Sequence, residues 1–434
     1  MSDKTESENF DAEQVAGNGL LDRRVFLRQG GGLLGALGAA AGLAGYSKPV
    51  EAETLVVPSW TTTPGAWVQG YTQPSKYEGK VVRGPMPANP YNNVGPGSVR
   101  SPLQYLDGMI TPNGVHYERS HNGVPDIDPA GHRLLIHGLV KRPLTFTLDA
   151  LSRYPMTSRI SFVECAGNSG GMLAPTAADG TAQSLHGLVS CAEWTGVPLA
   201  MLLEEAGVDP KAKWLVAEGA DAATMSRSVP LAKALDDALV ALYQNGERIR
   251  PANGYPMRLL LPGWQGNMNV KWLRRIKLLA EPAMTKDETS KYSLLLKEGK
   301  VAQFNFPLDA KSVITKPSPG VNMTAPGLYE ISGIAWSGNG KIAKVEVSAD
   351  GGKSWAPAAL SEPVMSKAIT RFRIPWRWNG GPAVLQSRAI DETGYVQPTR
   401  EQQIGARGSR FQYHCNLITS WGVAASGEVK HVYA

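Results

Sequence analysis

One stretch organises this chain: Ser161-Phe162-Val163-Glu164-Cys165-Ala166-Gly167-Asn168-Ser169-Gly170-Gly171. An apolar run that is typical of a strand ends at Cys165, and the Gly and Asn residues that follow tolerate the positive φ angles of a tight loop. The pattern therefore predicts a thiol at a strand end, where the backbone is open enough for a large ligand to approach. A thiolate there needs a metal ion or nearby positive charge to lower its pKa. Taken alone, the motif also fits a buried structural cysteine.

The composition is that of a globular protein, and 434 residues are enough for two domains. The formal net charge is +6, and no basic run is interleaved with aromatic residues, so nucleic-acid binding is not expected. The three cysteines include no close pair, which argues against a disulfide framework but does not exclude one disulfide bond. The sequence has no Cys-x-x-Cys-His motif, so no c-type haem is expected on this chain.

The N-terminus carries the features of an export signal. Residues 1–20 are acidic and polar and are predicted to be disordered. Arg23 and Arg24 precede an apolar, Gly-rich run over residues 30–45, and Val50-Glu51-Ala52 offers a small-residue cleavage site. This order predicts a twin-arginine signal peptide over residues 1–52 and a periplasmic protein with no membrane span in the mature chain. An N-terminal anchor helix is the alternative, although the run is short for a span. Cleavage would raise the net charge to +8, which suits an anionic cofactor or an acidic partner.

Residues 53–310 are predicted to form an α+β domain, because strands and helices mix irregularly. Residues 53–115 are rich in Pro, Gly, Asn, Trp and Tyr and are expected to wrap around it as an extended segment. Apolar patterning predicts strands over 132–140, 161–165, 213–218, 257–263 and 270–279, and helices over 148–154 and 197–206, the second ending at Gly207.

From residue 311 to 434 the pattern changes to short strands at regular spacing, and no helix is predicted. Alternating apolar residues and turn signals predict strands over 313–317, 333–338, 343–347, 370–374 and 384–389, with turns at 350–352 and 391–394 and a return strand from Trp355. This arrangement is typical of an immunoglobulin-like β-sandwich without its cysteine pair.

Three further groups of residues accompany the Cys165 loop, at 117–121, at 219–221 and across 254–273. Each alone fits a surface pair, a turn, a salt bridge or a solvated lysine. In this order, however, they resemble the sulfite oxidase family of molybdenum enzymes over residues 110–425, and Val345–Trp355 is similar to that family's C-terminal dimerisation domain. The resemblance implies a molybdopterin-binding α+β domain followed by an immunoglobulin-like dimerisation domain.

The resemblance also implies roles for individual residues. Cys165 would be the thiolate ligand of molybdenum, Arg119 would lie by the metal and attract an oxyanion, and Tyr292 would be the active-site tyrosine. The cofactor would be one molybdenum–molybdopterin per chain, whose phosphate suits Arg and Lys as donors of charge-assisted hydrogen bonds. The residues expected to bind it are Tyr117, Glu118, Arg119, Ser120, His121, Cys165, Asp221, Asn253, Arg258, Asn269, Val270 and Lys271.

Several positions depart from the family's pattern. Ser169 and Gly170 stand where Arg usually follows the Cys-Ala-Gly-Asn motif, Ile418 stands near an expected C-terminal Arg, and Asn253 stands where His is common. The lost arginines weaken binding of free sulfite and leave room for a larger substrate, such as sulfane sulfur on a carrier protein's cysteine. The signal, the cysteine loop and residues 288–292 most resemble the sulfane-oxidising members of the family.

The resemblance implies transfer of a water-derived oxygen to sulfur and the release of electrons to a cytochrome c, expected to carry two haems. It also implies a homodimer through the sandwich and a heterotetramer with the cytochrome. Three alternatives remain: a sulfite dehydrogenase, a molybdenum reductase of methionine sulfoxide, against which residues 312–425 argue, and a secreted scaffold built on the sandwich. Cys191 and Cys415 match no ligand position and are predicted to be structural.

Overall fold

The structure, a computed structural model, describes residues 14–22, 58–64, 66, 70–85, 95–409 and 413–434. The predicted signal from Arg23 to the cleavage site at 50–52 lies outside the described residues. Among the residues that are described, no helix is both long and apolar enough to cross a membrane.

Strands dominate the described residues, and the helices are short. In the first part of the chain the strands are β1 (Gln14–Ala16), β2 (Leu20–Leu21), β3 (Gly97–Val99), β4 (Glu118–Ser120), β5 (Arg133–Gly138), β6 (Leu144–Thr147), β7 (Thr157–Glu164), β8 (Val189–Pro198), β9 (Trp214–Gly219), β10 (Ser226–Pro230), β11 (Leu239–Gln244), β12 (Glu247–Arg248), β13 (Arg258–Leu260), β14 (Leu273–Leu279), β15 (Leu294–Leu295) and β16 (Val301–Ala302). Later strands are β17 (Lys311–Lys316), β18 (Gly327–Trp336), β19 (Ile342–Ser348), β20 (Ala356–Pro357), β21 (Ala359–Leu360), β22 (Thr370–Trp378), β23 (Ala383–Asp391), β24 (Ser420–Val423) and β25 (Val429–Val432). The α-helices are α1 (Leu148–Ser152), α2 (Ala182–His186), α3 (Leu199–Ala206), α4 (Leu231–Asp236), α5 (Lys286–Thr289) and α6 (Arg400–Arg407).

The first domain is built on two five-stranded sheets, with the two-stranded sheets β3-β4 and β15-β16 beside them. One has the order β10-β9-β14-β5-β6, and the other has the order β12-β11-β8-β7 with β13 paired to β11. Their ladders are antiparallel except between β14 and β5. The predicted helix 197–206 is confirmed as α3, which Pro198 precedes and which Gly207 ends in the left-handed region at φ 70°. The α+β prediction is therefore confirmed.

The second domain is the predicted sandwich. One sheet has the order β1-β2-β22-β18-β17 with β21 beside β22, and the other has the order β20-β19-β23-β24-β25. Trp336, Trp376 and Trp421 lie fully buried in its core. The prediction of no helix was wrong, because α6 begins at Thr399, whose side chain exchanges hydrogen bonds with Gln402 in a capping box.

The prediction that residues 1–20 are disordered was wrong for the part that the structure describes. β1 and β2 pair antiparallel, and Leu20 is the partner of Trp376 on β22. Leu20 and Leu21 are 0 % and 2 % exposed, so this segment packs on the sandwich by burying apolar side chains. The acidic residues around these two leucines are the reason that the sequence predicted disorder.

The two domains share one hydrophobic cluster. Phe162 of β7 and Cys191 of β8 pack in the same cluster as Trp336 of β18, and the amide of Phe162 donates to the carbonyl of Lys367 at 3.1 Å. The Cys165 loop therefore lies at the junction of the two domains rather than on a free edge.

Candidate functional site

All thirteen residues predicted for the site line one cavity. The cavity contains about 650 Å³ of space that protein atoms do not fill, counting its open mouth, which is within the range of pockets for sizeable ligands. Residues from β4, β7, β13 and the turn before β14 converge there, together with Tyr292 from the segment after α5. The structure thus brings together positions that are far apart in sequence.

Cys165 directly follows β7 and is half-buried in the cavity wall. Its amide donates to the carbonyl of Leu188 at 2.9 Å, and its carbonyl accepts from the amide of Asn168 at 2.9 Å. Burial raises the pKa of the thiol, while the backbone of Gly167 and the charge of Arg119 act in the opposite direction. A bound cation is what would complete the stabilisation of a thiolate here.

Lys271 and Arg119 bring positive charge to the same wall. The ammonium of Lys271 donates to the carbonyls of Arg119 and Ala252, at 3.1 and 2.9 Å, and to Oγ of Ser120 at 3.1 Å. Burial lowers the pKa of Lys271 to about 7, with Glu118 opposing the shift. No carboxylate of the described residues lies within salt-bridge distance of Lys271, so its charge is not neutralised by an ion pair, although its three N–H groups already have acceptors.

Arg258 is buried, and its guanidinium is held by backbone oxygens rather than by a carboxylate. It donates to the carbonyl of Asn253 at 2.7 Å and to that of Asn269 at 2.9 Å. Burial lowers its pKa to about 10. Its Nε atom and Nε2 of neighbouring His116 are buried with no hydrogen-bond partner in the described structure.

These two orphaned nitrogens test whether the cavity fits the expected cofactor. Buried polar atoms are normally satisfied. The Nε–H of Arg258 is an unpaired donor that a phosphate would complete, and Nε2 of His116 is an unpaired acceptor, because Nδ1 of the neutral ring donates to the carbonyl of Tyr117; a donor on a pterin edge would complete it. No group of three or more His, Cys, Asp or Glu suited to a metal occurs among the described residues. Cys165 is the one thiol among the described residues that line the cavity, and a thiolate suits a metal that is otherwise held by sulfur atoms of a cofactor.

Not every predicted residue offers its side chain to a ligand. The side chain of Asn269 is fully engaged, since it accepts from the amide of Leu261 at 2.7 Å and donates to the carbonyls of Trp264 and Gln265. Asp221 accepts from the amide of Met225 at 3.3 Å. Both residues line the cavity, and both shape the loops that carry it.

Tyr292 and His121 both line the cavity, and their side chains contact each other. His121 Nε2 lies 2.6 Å from the Tyr292 hydroxyl. Burial, with Arg119 and nearby lysines, lowers the pKa of His121 to about 3. Burial and Cys165 raise the pKa of Tyr292 above its ordinary value. Both groups are therefore neutral around pH 7.

The sequence analysis missed a buried pair behind Tyr292. Arg227 and Glu288 form a bidentate ion pair at 2.9 and 3.0 Å, with side chains 0 % and 1 % exposed. The guanidinium carbon of Arg227 lies 4.9 Å from the Tyr292 ring centre, and Arg227 also donates to Asn267, which lines the cavity. Glu288 lay within the stretch noted in the sequence, whereas nothing in the sequence marks Arg227.

The positions that depart from the family's pattern add no cation to the cavity. The hydroxyl of Ser169 lies 2.7 Å from Nδ1 of His186, and Ile418 is buried. Cys191 and Cys415 are free thiols in apolar clusters, where burial raises their pKa to about 12 and about 11. These surroundings are those of structural cysteines.

Comparisons with known proteins give a consistent assignment. Residues 121–286 match the oxidoreductase molybdopterin-binding domain, and residues 302–419 match the Mo-co oxidoreductase dimerisation domain. The chain is 30 % identical over 338 residues to mitochondrial sulfite oxidase of Drosophila melanogaster, covering 71 % of this chain and 59 % of that protein. It is 32 % identical over 356 residues to an NADH nitrate reductase of Solanum lycopersicum, covering 70 % of this chain and 38 % of that protein. The chain therefore spans less than two thirds of the length of these relatives.

Among solved structures, the chain is similar to the crystal structure of the sulfane dehydrogenase SoxCD from Paracoccus pantotrophus. The two are 42 % identical with a TM-score of 0.84, and the match covers 87 % of this chain and 98 % of that one. The likeness therefore extends over most of this chain.

Proposed function

Because the chain belongs to the sulfite oxidase family of molybdenum enzymes, we propose that it is the molybdenum subunit of a periplasmic sulfane dehydrogenase. It oxidises sulfane sulfur carried on a cysteine of another protein, with oxygen from water, and passes the electrons to a cytochrome c. The similarity to the Paracoccus pantotrophus enzyme over nearly its whole chain supports this choice within the family.

One observation carries the choice of substrate. The loop after Cys165 carries a serine and a glycine where sulfite oxidases usually carry arginine, and Ser169 points to His186 and Lys311 rather than adding a cation to the cavity. Arg119 is then the arginine of the cavity lining whose charge acts on the Cys165 thiol. A site with so few cations stabilises bound sulfite, a small doubly charged anion, less than it would with the usual arginine. Sulfane sulfur on a carrier protein's cysteine depends less on those cations, because the carrier protein supplies binding contacts of its own.

The chain's own residues bind the cofactor, orient the substrate and exclude water. When bound, the molybdenum group supplies exchange of a water-derived oxygen and accepts two electrons. Cys165 would anchor that group, and the charges of Lys271 and Arg258 would hold its anionic end, with the unpaired Nε–H of Arg258 as a donor of a charge-assisted hydrogen bond. Arg119 attracts the developing oxyanion at sulfur, and the neutral Tyr292–His121 pair can supply a hydrogen-bond donor near it.

The same proposal includes the partners. The match to the dimerisation domain supports a homodimer through the sandwich, and a complex with a cytochrome c would make a heterotetramer. Lys286, Lys291 and Lys297 lie near Tyr292 in the sequence and form no salt bridge in the described structure, whereas Lys300 pairs with Glu298 at 3.3 Å. These three lysines suit an acidic docking partner.

Turnover with two substrates tests the proposal. The purified molybdenum-loaded chain is mixed with oxidised cytochrome c and either sulfite or a carrier protein whose single cysteine bears a sulfane sulfur, and cytochrome reduction is followed. We expect kcat/KM for the loaded carrier to exceed that for sulfite by about 100-fold or more. The same carrier with a bare thiol is the control. Faster oxidation of sulfite than of the loaded carrier would reject the proposal.

The second candidate is a sulfite dehydrogenase. It is favoured by the cationic wall of Arg119 and Lys271 and by the similarity to mitochondrial sulfite oxidase. The same experiment decides between the two, because each predicts the opposite order of substrates.

A further inference from the structure

A buried ion pair joins the Cys165 loop to the second domain. The Nζ atom of Lys311, on β17, lies 2.9 Å from Oε1 of Glu164 and donates to Oγ of Ser169 at 2.7 Å. The side chains of Lys311 and Glu164 are 2 % and 5 % exposed, so salt screens the pair little. One ammonium group therefore ties the residue before Cys165 to a residue four positions after it.

Glu164 is held on both carboxylate oxygens. Trp336, on β18, donates its indole N–H to Oε2 at 2.7 Å, and Asn168 donates its amide to Oε1 at 2.9 Å. Two of these three donors, Lys311 and Trp336, come from the sandwich. Because Glu164 directly precedes Cys165, a carboxylate fixed in this way limits how the cysteine can turn.

The charge of Lys311 also matters to the thiolate. Its charge is balanced by Glu164, so it does not act as a free cation for substrate. Without it, the carboxylate of Glu164 would stand unbalanced next to Cys165 and would disfavour negative charge on the sulfur. Lys311 therefore both orients the loop and cancels a charge that opposes metal binding.

We propose that Lys311 is a positioning residue for the metal ligand. Reaching from the sandwich, it holds Glu164 and Ser169 and so sets the direction in which Cys165 presents its thiolate to the cavity. The sandwich is then part of the metal site as well as a dimerisation domain. The inference rests on the molybdenum site of the proposed function but not on the identity of the substrate, so the two can fail separately.

The variant Lys311→Met tests the proposal, since it removes the charge and keeps most of the side-chain length. In the full chain we expect affinity for the molybdenum cofactor to fall about 10-fold or more, as for other residues that orient a metal ligand. We also expect amide hydrogen exchange over residues 165–170 to become about 10-fold faster or more. Neither readout needs the substrate.

Lys233→Met is the matched control. Lys233 and Asp237 form another buried ion pair, at 2.6 Å with side chains 8 % and 9 % exposed, in which Asp237 also binds Lys367 at 2.7 Å, and neither residue of the pair lines the cavity. This variant should lower the melting temperature and leave both the cofactor affinity and the exchange of residues 165–170 unchanged.

If Lys311→Met does not fold, Trp336→Phe decides, because it removes one donor to Glu164 and keeps an aromatic ring. It should move both readouts in the same direction as Lys311→Met. The proposal is overturned if the variant that folds changes only the melting temperature, as the control does, and keeps the normal loop exchange and cofactor affinity.

Discussion

The Nε2 atom of His121 lies 2.6 Å from the phenolic oxygen of Tyr292. Burial keeps both groups neutral, since it lowers the pKa of His121 to about 3 and raises that of Tyr292. If Nε2 carries the proton and donates it to the phenol oxygen, the Tyr292 O–H is free to point into the cavity. The pair can therefore present one oriented donor without any change of charge.

Tyr292→Phe should remove that donor. We expect kcat to fall about 100-fold, the scale of one proton-transfer or hydrogen-bonding group, with a smaller change in KM. Because His121 is neutral well above its lowered pKa, it should add no ionisation to the pH profile of kcat between about pH 5 and 8. Steady-state kinetics with the preferred substrate measures both.

Tyr413→Phe is the control for this prediction, because its ring centre lies 5.2 Å from that of Tyr292 and it does not line the cavity. It should keep near-normal kcat. Equal losses in the two variants would show that the effect is not specific to the hydroxyl of Tyr292.

Arg227→Met should destabilise the fold as well as the site. It leaves the fully buried carboxylate of Glu288 without its bidentate partner, although the amide of Ser228 still donates to it at 2.8 Å. Breaking a buried ion pair from one side costs about 3–5 kcal/mol in the free energy of unfolding. Chemical denaturation measures this loss. The double variant Arg227→Met/Glu288→Gln should recover part of it, and no recovery would mean that the ion pair is not its source.

The three cysteines should respond differently to replacement by serine. Cys165→Ser should abolish turnover and largely keep the fold, since Cys165 is half-buried at the cavity. Cys191→Ser and Cys415→Ser place a hydroxyl in apolar clusters and should cost about 1–3 kcal/mol of stability while keeping activity per folded chain. Turnover and thermal unfolding of the three variants give the comparison. A Cys165→Ser enzyme of ordinary activity would exclude Cys165 as the metal ligand.

The sequence was sufficient where local chemistry and function agree. The position of Cys165 directly after β7 could be predicted, because the apolar run before it and the glycine loop after it are both local features of the sequence. Helix α3 was predicted for the same reason, from Pro198 and Gly207 at its ends. The site residues were predicted through the resemblance, and the structure adds that they share one cavity.

The sequence was not sufficient where tertiary packing overrides the local pattern. Strand β8 (Val189–Pro198) is central in its sheet, yet Glu193 and Thr195 break its apolar run, and no strand was predicted there. Leu20 becomes a core residue only because β22 offers an edge to pair with. Arg227 is 0 % exposed, and an arginine is assigned to a buried position only when the partner that balances its charge is known.

The last prediction concerns Lys271 and pH. Burial lowers its pKa from 10.5 to about 7, so in the cofactor-free fold it loses its proton while the unfolded chain still holds one. Since the unfolded state then binds more protons, this group makes the free energy of unfolding rise with pH between about 7 and 10.5.

Binding of an anionic phosphate needs the charged form of Lys271, and above pH 7 Lys271 must take up a proton when the phosphate binds. Affinity of the cofactor-free chain for molybdopterin should therefore fall by up to about 10-fold per pH unit above 7. Lys271→Arg, which stays charged, should remove this slope while keeping affinity, and Lys271→Met should remove both the slope and most of the affinity. A wild-type affinity that stays flat between about pH 6 and 9 would show that Lys271 does not bind the cofactor's anionic group.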